Sequence, residues 1–450
     1  MKRKNIEVIG AGSATFSLDI IRDLIITPGL HNSNIILVDK DEERLNAIAR
    51  VAQSYNDEMN AGYTFQTETS WEKPLGGAVD YVILAALAGG RDGMDKDRAL
   101  LEEHGYYRGI GINTPFRQLK LMMDVGEKMA DRCPEATLIM AANPVPEGCG
   151  LIHQATGIDT IGICHGHHEL KKLYGLLGIS DLGLVSSQVA GINHNIWLKN
   201  FTYKGENAYP MLDDWINTAA ESFYKFYTPV SHHADYQISK VALDMYKRYG
   251  LFPVGDTVRG VMPEFWWYAD SSETKEKWFG PTQGFDGDIG HNMNLAWLTN
   301  IVKEVNSFGP TQSATRTFGL HRSEWDIIPY IDAKVNNTKA KLQLSIPNKG
   351  AVKGLDDETF VEVPVVVDSK GLNRLEQIEF SNLLLHGVLI PRELLARRII
   401  SAMLERDERH IIQTWLADWK TKQPGQAESA WEALINADWN EDMFEYYRCK

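Results

Sequence analysis

The sequence predicts an α/β fold, a doubly wound parallel sheet followed by an α+β substrate region. Three observations carry this. Short apolar runs alternate with helical stretches through residues 1–190. The first run turns through Gly10-Ala11-Gly12-Ser13 into a helix, and the second ends in Asp39. Two later apolar runs end in polar groups, Cys164-His165-Gly166-His167-His168 and Asn193-His194-Asn195.

Element by element, 6–9 is a buried strand, and an apolar-periodic helix over 17–26 is ended by the breaker pair Pro28-Gly29. A strand over 35–38 precedes a helix over 41–60. Further core strands fall at 81–85, 137–140 and 161–163. Continuous apolar strands in β-α units imply a parallel sheet covered on both faces. Beyond about residue 189 the pattern changes. Stretches rich in Trp and Tyr, 210–227 and 263–278, read as helices, 341–346 and 360–367 as alternating strands, and the region from about Pro391 as helices. The expected division is a Rossmann-like dinucleotide-binding domain at 1–190 and an α+β substrate and oligomerisation domain at 191–450, in the architecture of lactate and malate dehydrogenases.

Composition narrows the class. With 44% apolar and 24% charged residues, the chain is an ordinary globular protein. A net charge of -14 argues against nucleic acid or an anionic membrane as partner, since both need basic surfaces. The apolar run behind the basic start stops at Gly10, too short for a signal peptide or membrane span, so the expected location is the cytoplasm. Cys133, Cys149, Cys164 and Cys449 do not form a disulfide framework in so long a chain, and reduced thiols suit a cysteine that binds metal.

Gly10 and Gly12 allow a tight turn and bring backbone N–H groups to a pyrophosphate at a helix N-terminus. Thr15 and Phe16 stand where the usual fingerprint has its third glycine. Asp39, at the end of the second strand, can bond the adenosine ribose hydroxyls and would repel a 2′-phosphate, which favours NAD over NADP. The candidate cofactor-binding residues are Gly10, Gly12, Ser13, Phe16 and Asp39.

Asn143, Cys164, His165, Asn193 and His194 lie where strands of an open sheet should end, which is where such folds bind ligands. A thiolate and an imidazole so placed can share one divalent metal. Each has a plainer reading: Cys164 as a small buried hydrophobe, His194 as a core histidine, Asn143 as a turn residue. His167 and His168 read as helix-start residues rather than ligands. Asp256 and Arg259 offer a carboxylate beside a guanidinium, either a general base kept ionised or a surface salt bridge.

These motifs together resemble glycoside hydrolase family 4, the NAD- and metal-dependent glycosidases. The resemblance rests on Ile9-Gly10-Ala11-Gly12-Ser13, Gly105-Tyr106-Tyr107-Arg108-Gly109, Ala142-Asn143-Pro144, Cys164-His165-Gly166-His167 and Ala190-Gly191-Ile192-Asn193-His194. It continues through Gly255-Asp256-Thr257-Val258-Arg259, Ile346-Pro347-Asn348-Lys349-Gly350 and Val361-Glu362-Val363-Pro364. It implies that Cys164 and His194 hold a divalent metal, typically Mn2+. It also implies that Asn143 and Asn193 contact sugar, that Asp256 removes the proton at C2, and that Arg259 orients substrate or base. The implied chemistry passes hydride from C3 of the sugar to NAD+, acidifies C2–H beside the new carbonyl, expels the glycosidic oxygen, adds water and restores C3 with no net oxidation.

The Cys-His-Gly-His block resembles the branch acting on unphosphorylated α-glucosides and α-glucuronides rather than the 6-phospho-sugar branches. Relatives with this block carry a longer loop after Gly-Tyr-Tyr-Arg-Gly with an aspartate proposed as leaving-group acid. Here 110–116 has no carboxylate, leaving His165 or a water as the acid, and leaving α-glucoside, α-galactoside and α-hexuronide open. The resemblance also implies a homodimer or homotetramer acting on a small oligosaccharide or glycoside. Two other classes fit the fold: an NAD-dependent sugar or hydroxyacid dehydrogenase, and a non-catalytic NAD-binding regulator.

Overall fold

The structure is a computed structural model that describes residues 3–76, 78–106, 116–227, 237–259, 263–284 and 288–448. The first part lays down six strands: β1 (Asn5–Ile9), β2 (Asn34–Val38), β3 (Thr64–Glu68), β4 (Tyr81–Leu84), β5 (Thr137–Met140) and β6 (Thr160–Gly162). Between them run α1 (Ala14–Ile25), α2 (Glu42–Met59), α3 (Gly90–Glu103), α4 (Phe116–Arg132) and α5 (Val145–Thr156). The remaining strands are β7 (Val185–Ile192), β8 (Asn195–Tyr203), β9 (Glu206–Asn207), β10 (Phe252–Val254), β11 (Ala340–Pro347), β12 (Phe360–Asp368) and β13 (Gly371–Arg374).

All join one 13-stranded sheet, with path β10-β8-β7-β12-β11-β6-β5-β4-β1-β2-β3 and with β13 on β12 and β9 on β8. The half from β3 to β6 is parallel, as the β-α alternation requires. Beyond it the ladders are antiparallel, beginning where Ser345 of β11 meets Gly162 of β6. β1 lies between β2 and β4, so the chain leaves it in opposite directions and opens a crevice at the carboxyl edge.

Each central strand feeds two cores. Tyr81 and Ile83 of β4 pack with α1 and α2, whereas Val82 and Leu84 face α4 and α5. The second core is completed from the other end of the chain, by Ile399, Trp415, Trp431 and Tyr447 on helices Ile390–Glu405, Glu408–Leu416, Pro424–Ile435 and Glu441–Arg448. Position 190/191 falls inside β7, and the sheet runs unbroken across it.

Several elements differ from the sequence expectation. The stretch expected as a helix over 210–227 is two helices, Tyr209–Thr218 and Ala220–Phe226. The stretch over 263–278 is a 3₁₀ turn, Pro263–Tyr268, and a helix, Ser272–Phe279, started afresh by the Ser271 side chain accepting from Thr274 N. β11 and β12 were expected to alternate between core and solvent. Instead 342–346 and 360–365 are buried throughout, because both strands lie inside the sheet with both faces covered. Among the described residues no helix is long and apolar enough to cross a membrane.

Candidate active site

The cofactor turn is built on backbone that only glycine allows. Gly10 has φ +97°, and a Cβ there would stand 2.5 Å from Ala86 N. The Gly10 and Ala11 amides both donate to Val38 O at 2.9 Å, folding the end of β1 over β2. A Cβ on Gly12 would meet the Asp39 carboxylate at 2.6 Å. That carboxylate instead accepts from Gly12 N at 2.8 Å and from Asp41 N at 3.0 Å, which fixes its place at the end of β2. Ser13 is the N-cap of α1 and makes no side-chain cap bond, so the first amides of this 12-residue helix are left to an anion. The cradle therefore fits a dinucleotide pyrophosphate, with Asp39 at the ribose position. Phe16 packs edge-on against Trp325 at 5.3 Å, and Trp325 against His165 at 4.7 Å. Trp325 thus joins the cofactor helix to the cysteine–histidine turn.

Four segments bring the second group together. Cys164 is the second residue beyond β6 and precedes a 3₁₀ turn, Gly166–Glu169. Asn193 and His194 form the two-residue turn between β7 and β8, where Ile192 pairs with Asn195 and His194 takes φ +63°. Asp256 and Arg259 lie on the 3₁₀ turn Gly255–Arg259 that follows β10. Gly255 has φ +58°, and its missing Cβ would lie 2.8 Å from Gly166 Cα, so the cysteine turn and the aspartate turn pack backbone to backbone. Thr257 holds the latter in place, accepting from Ile196 N at 2.9 Å. Asn143, beyond β5 and joined to Pro144 by a cis peptide bond, is exposed.

At the centre, Asp256 Oδ2 lies 3.1 Å from His194 Nε2 and 3.1 Å from Arg259 Nη1. Burial lowers the His194 pKa, opposed by Asp256, so the imidazole stays neutral, the form a metal ligand needs. The Cys164 thiol is pushed up to about 12, first by burial and then by Glu362 and Asp256, while Gly166 N–H and the Asn193 side chain oppose the shift. A dication beside this sulfur would reverse the balance and deprotonate it. Among the described residues no group of three or more His, Cys, Asp or Glu is arranged to hold a metal. Cys164 and His194 are the two residues that would hold a metal here, and a pair of donors would leave positions open to substrate and water. To ligate through Nε2, His194 would exchange its contact with Asp256.

The structure thus brings together Cys164, Asn193, His194, Asp256 and Arg259, and places His165 between them and the cofactor helix through Trp325. His167 and His168 stay on their turn, with rings 3.9 Å apart and His167 Nε2 3.9 Å from Asp326 Oδ2. The Gly-Tyr-Tyr-Arg-Gly motif from Tyr107 onward, with the loop 110–115, lies outside the described residues, as does Cys449.

Three groups were not assigned from sequence. Trp325 is one. Glu362 on β12 accepts from Asn193 Nδ2 at 2.8 Å, and burial pushes its carboxyl up to about 7. The third is an ion pair of Arg392 and Glu147 at 2.6 Å, each 3% exposed, joined by Glu264, whose carboxyl burial pushes up to about 7. Arg392 and Glu147 both act electrostatically on His194. Glu147 stands in the first turn after Asn143-Pro144, the only sequence cue to that pair.

A dinucleotide-binding sheet with a thiol, imidazole and carboxylate gathered at its edge defines a class in which a nicotinamide and a metal serve one reaction. Residues 5–176 match the family 4 glycosyl hydrolases, and residues 189–421 match the C-terminal domain of that family. The chain belongs to glycosyl hydrolase family 4. It is 23% identical over 437 residues to an alpha-galacturonidase of Thermoanaerobacter italicus, covering 92% of this chain and 91% of that one. Its fold is similar to that of a 6-phospho-alpha-glucosidase from gut microorganisms in complex with NAD and Mn2+, with TM-score 0.70 at 15% identity over 96% of this chain and 98% of that one. A malate dehydrogenase from Picrophilus torridus superposes with TM-score 0.50 at 14% identity over 89% of this chain and 99% of that one, so the dehydrogenase-like architecture holds.

Proposed function

We propose that this protein hydrolyses terminal α-glycosidic bonds of small unphosphorylated glycosides, with NAD and a divalent metal such as Mn2+ as resident cofactors. The observation that carries the reading is Asp256, paired with Arg259 at 3.1 Å, on a turn that packs against the Cys164 turn and lies beside His194. The NAD and Mn2+ bound by the similar 6-phospho-alpha-glucosidase support the cofactor assignment.

When bound, the nicotinamide supplies a hydride acceptor for C3 of the sugar, and the cation supplies Lewis acidity at the oxygen there. The protein does the rest. Asp256 takes the proton from C2, made acidic by the neighbouring carbonyl. Arg259 pairs with Asp256 at 3.1 Å and aligns it. His165, or a water it holds, protonates the departing glycosidic oxygen. Asn143, which is exposed, orients the ring. Asn193, expected from sequence as a sugar contact, is 1% exposed and bonded to Glu362, which takes it out of reach of the sugar. Of the three sugar classes, the α-hexuronide of galacto configuration is the first to test, because the alpha-galacturonidase relative aligns along nearly the whole chain.

A panel of nitrophenyl α-glucosides, α-galactosides and α-galacturonides, incubated with NAD+, Mn2+ and a reductant, tests this. Nitrophenol release without accumulation of NADH is expected. Steady NADH formation with no cleavage would make the protein a sugar dehydrogenase instead.

A further inference from the structure

Behind Cys164 lies a buried carboxylate with no part in the steps above. Glu362 is 1% exposed, on β12 between Val361 and Val363, both buried. In register it faces Gly191 of β7 on one side and Ser345 of β11 on the other. A carboxylate buried there costs desolvation that only specific partners offset.

Its partner is Asn193, itself 1% exposed. The Asn193 amide nitrogen has two hydrogens to give. One goes to Glu362 Oε2 at 2.8 Å, and the same side chain favours the ionised form of the nearby Cys164 sulfur. Asn193 is also half of the two-residue turn whose other half is His194. Gln343 on β11 lies beside it, with Nε2 donating to Val189 O at 3.1 Å, and Glu362 Oε1 is buried without a hydrogen-bond partner, so Asn193 is the contact that holds the carboxylate. One carboxylate therefore fixes an amide that lies beside Cys164 and belongs to the turn that presents His194.

We propose that Glu362 is a positioning residue for the metal site, orienting Asn193 so that the Cys164 sulfur and the His194 turn are held in ligating register. The proposal rests on the reading of Cys164 and His194 as the metal donors. Partners behind metal ligands typically set affinity by about 10–100-fold, because they fix ligand orientation before the ion arrives.

The test is metal binding itself. Mn2+ affinity is measured by equilibrium dialysis, and Co2+ titration follows the thiolate-to-cobalt charge-transfer band, for the intact protein and for Glu362→Leu, Glu362→Gln, Asn193→Ala and Cys164→Ser. Glu362→Leu is expected to weaken Mn2+ binding by about 10–100-fold and to diminish the band. Glu362→Gln should recover much of both, since its amide oxygen can accept the same Asn193 N–H. Adding Glu362→Gln to Asn193→Ala should cost nothing further, because both act through one hydrogen bond. If Glu362→Leu does not fold, the Glu362→Gln and Asn193→Ala pair decides the matter. Wild-type affinity and an unchanged band in the Glu362 and Asn193 variants, with the band lost in Cys164→Ser, would overturn the proposal and leave the ligand assignment standing. A Cys164→Ser protein that binds Mn2+ as tightly as the wild type would overturn the ligand assignment, and the role of Glu362 with it.

Discussion

Asp256 pairs with Arg259 through the same carboxylate oxygen that His194 would release on binding a metal, and Arg259 is the contact that stays with it. Changing Asp256 to Asn keeps the shape and removes the base. Turnover is expected to fall by about 10²–10⁴-fold, while Mn2+ and NAD+ affinity, read by dialysis and by nicotinamide fluorescence, stay near wild type. A buried residue away from the site yields a stability prediction. Glu7 on β1 has both carboxylate oxygens buried without a partner, and burial pushes its pKa up to about 8. An unfolded glutamate titrates near about 4.3, so between there and pH ~8 the unfolded chain has lost a proton that the folded chain keeps. Stability is therefore expected to fall as pH rises through that window and to level off above it. Thermal melts of Glu7→Gln should lack this slope and show a higher midpoint than wild type at pH 8. An identical pH dependence in the two proteins would show that Glu7 does not supply it. Gly10, Gly12 and Asp39 were legible in the sequence because each answers a backbone or charge requirement of the turn. Glu362 was not, because Val361-Glu362-Val363 reads as a strand with its middle residue turned to solvent, and only the neighbours on both sides of β12 show otherwise.

At the scale of elements, the site depends on two turns touching through glycines. A methyl on Gly255 would meet the Gly166 backbone at 2.8 Å, and the residue would also have to hold φ +58°. Gly255→Ala is expected to lose about 1–3 kcal/mol of stability and to lower turnover far more than a melt of that size explains, because the Asp256 and Cys164 turns are pushed apart. A variant with wild-type turnover would show that the two turns tolerate separation. Most strands and the first helices could be read in advance, since apolar periodicity and breaker pairs fix them locally. The division of 209–226 into two helices could not, because apolar and aromatic residues continue through the break at Ala219. The antiparallel join of β6 to β11 was also hidden, because sequence shows which segments are strands and not which of them become neighbours.

The whole molecule is tied together by its far end. Trp415, Trp431 and Tyr447 fill the core beneath β4, β5, α4 and α5, and β11 covers the edge of β6. A fragment of residues 1–190 would expose that core and leave β6 unpaired on one side, so it is expected to melt without a cooperative transition and to bind NAD+ poorly. A sharp transition with intact NAD+ binding would show that the dinucleotide half folds alone. The same long-range packing sets Arg392 on Glu147, 245 positions apart in sequence, where both act on His194.

The role proposed for Asp256 is to remove a proton from C2 of a transiently oxidised sugar. Turnover in heavy water tests it most directly, with deuterium at C2 of the released sugar read by mass spectrometry and NMR. Deuterium at C2 in the wild-type product, and none above background with Asp256→Asn, is the result expected. Glycoside cleavage with hydrogen fully retained at C2 would contradict it.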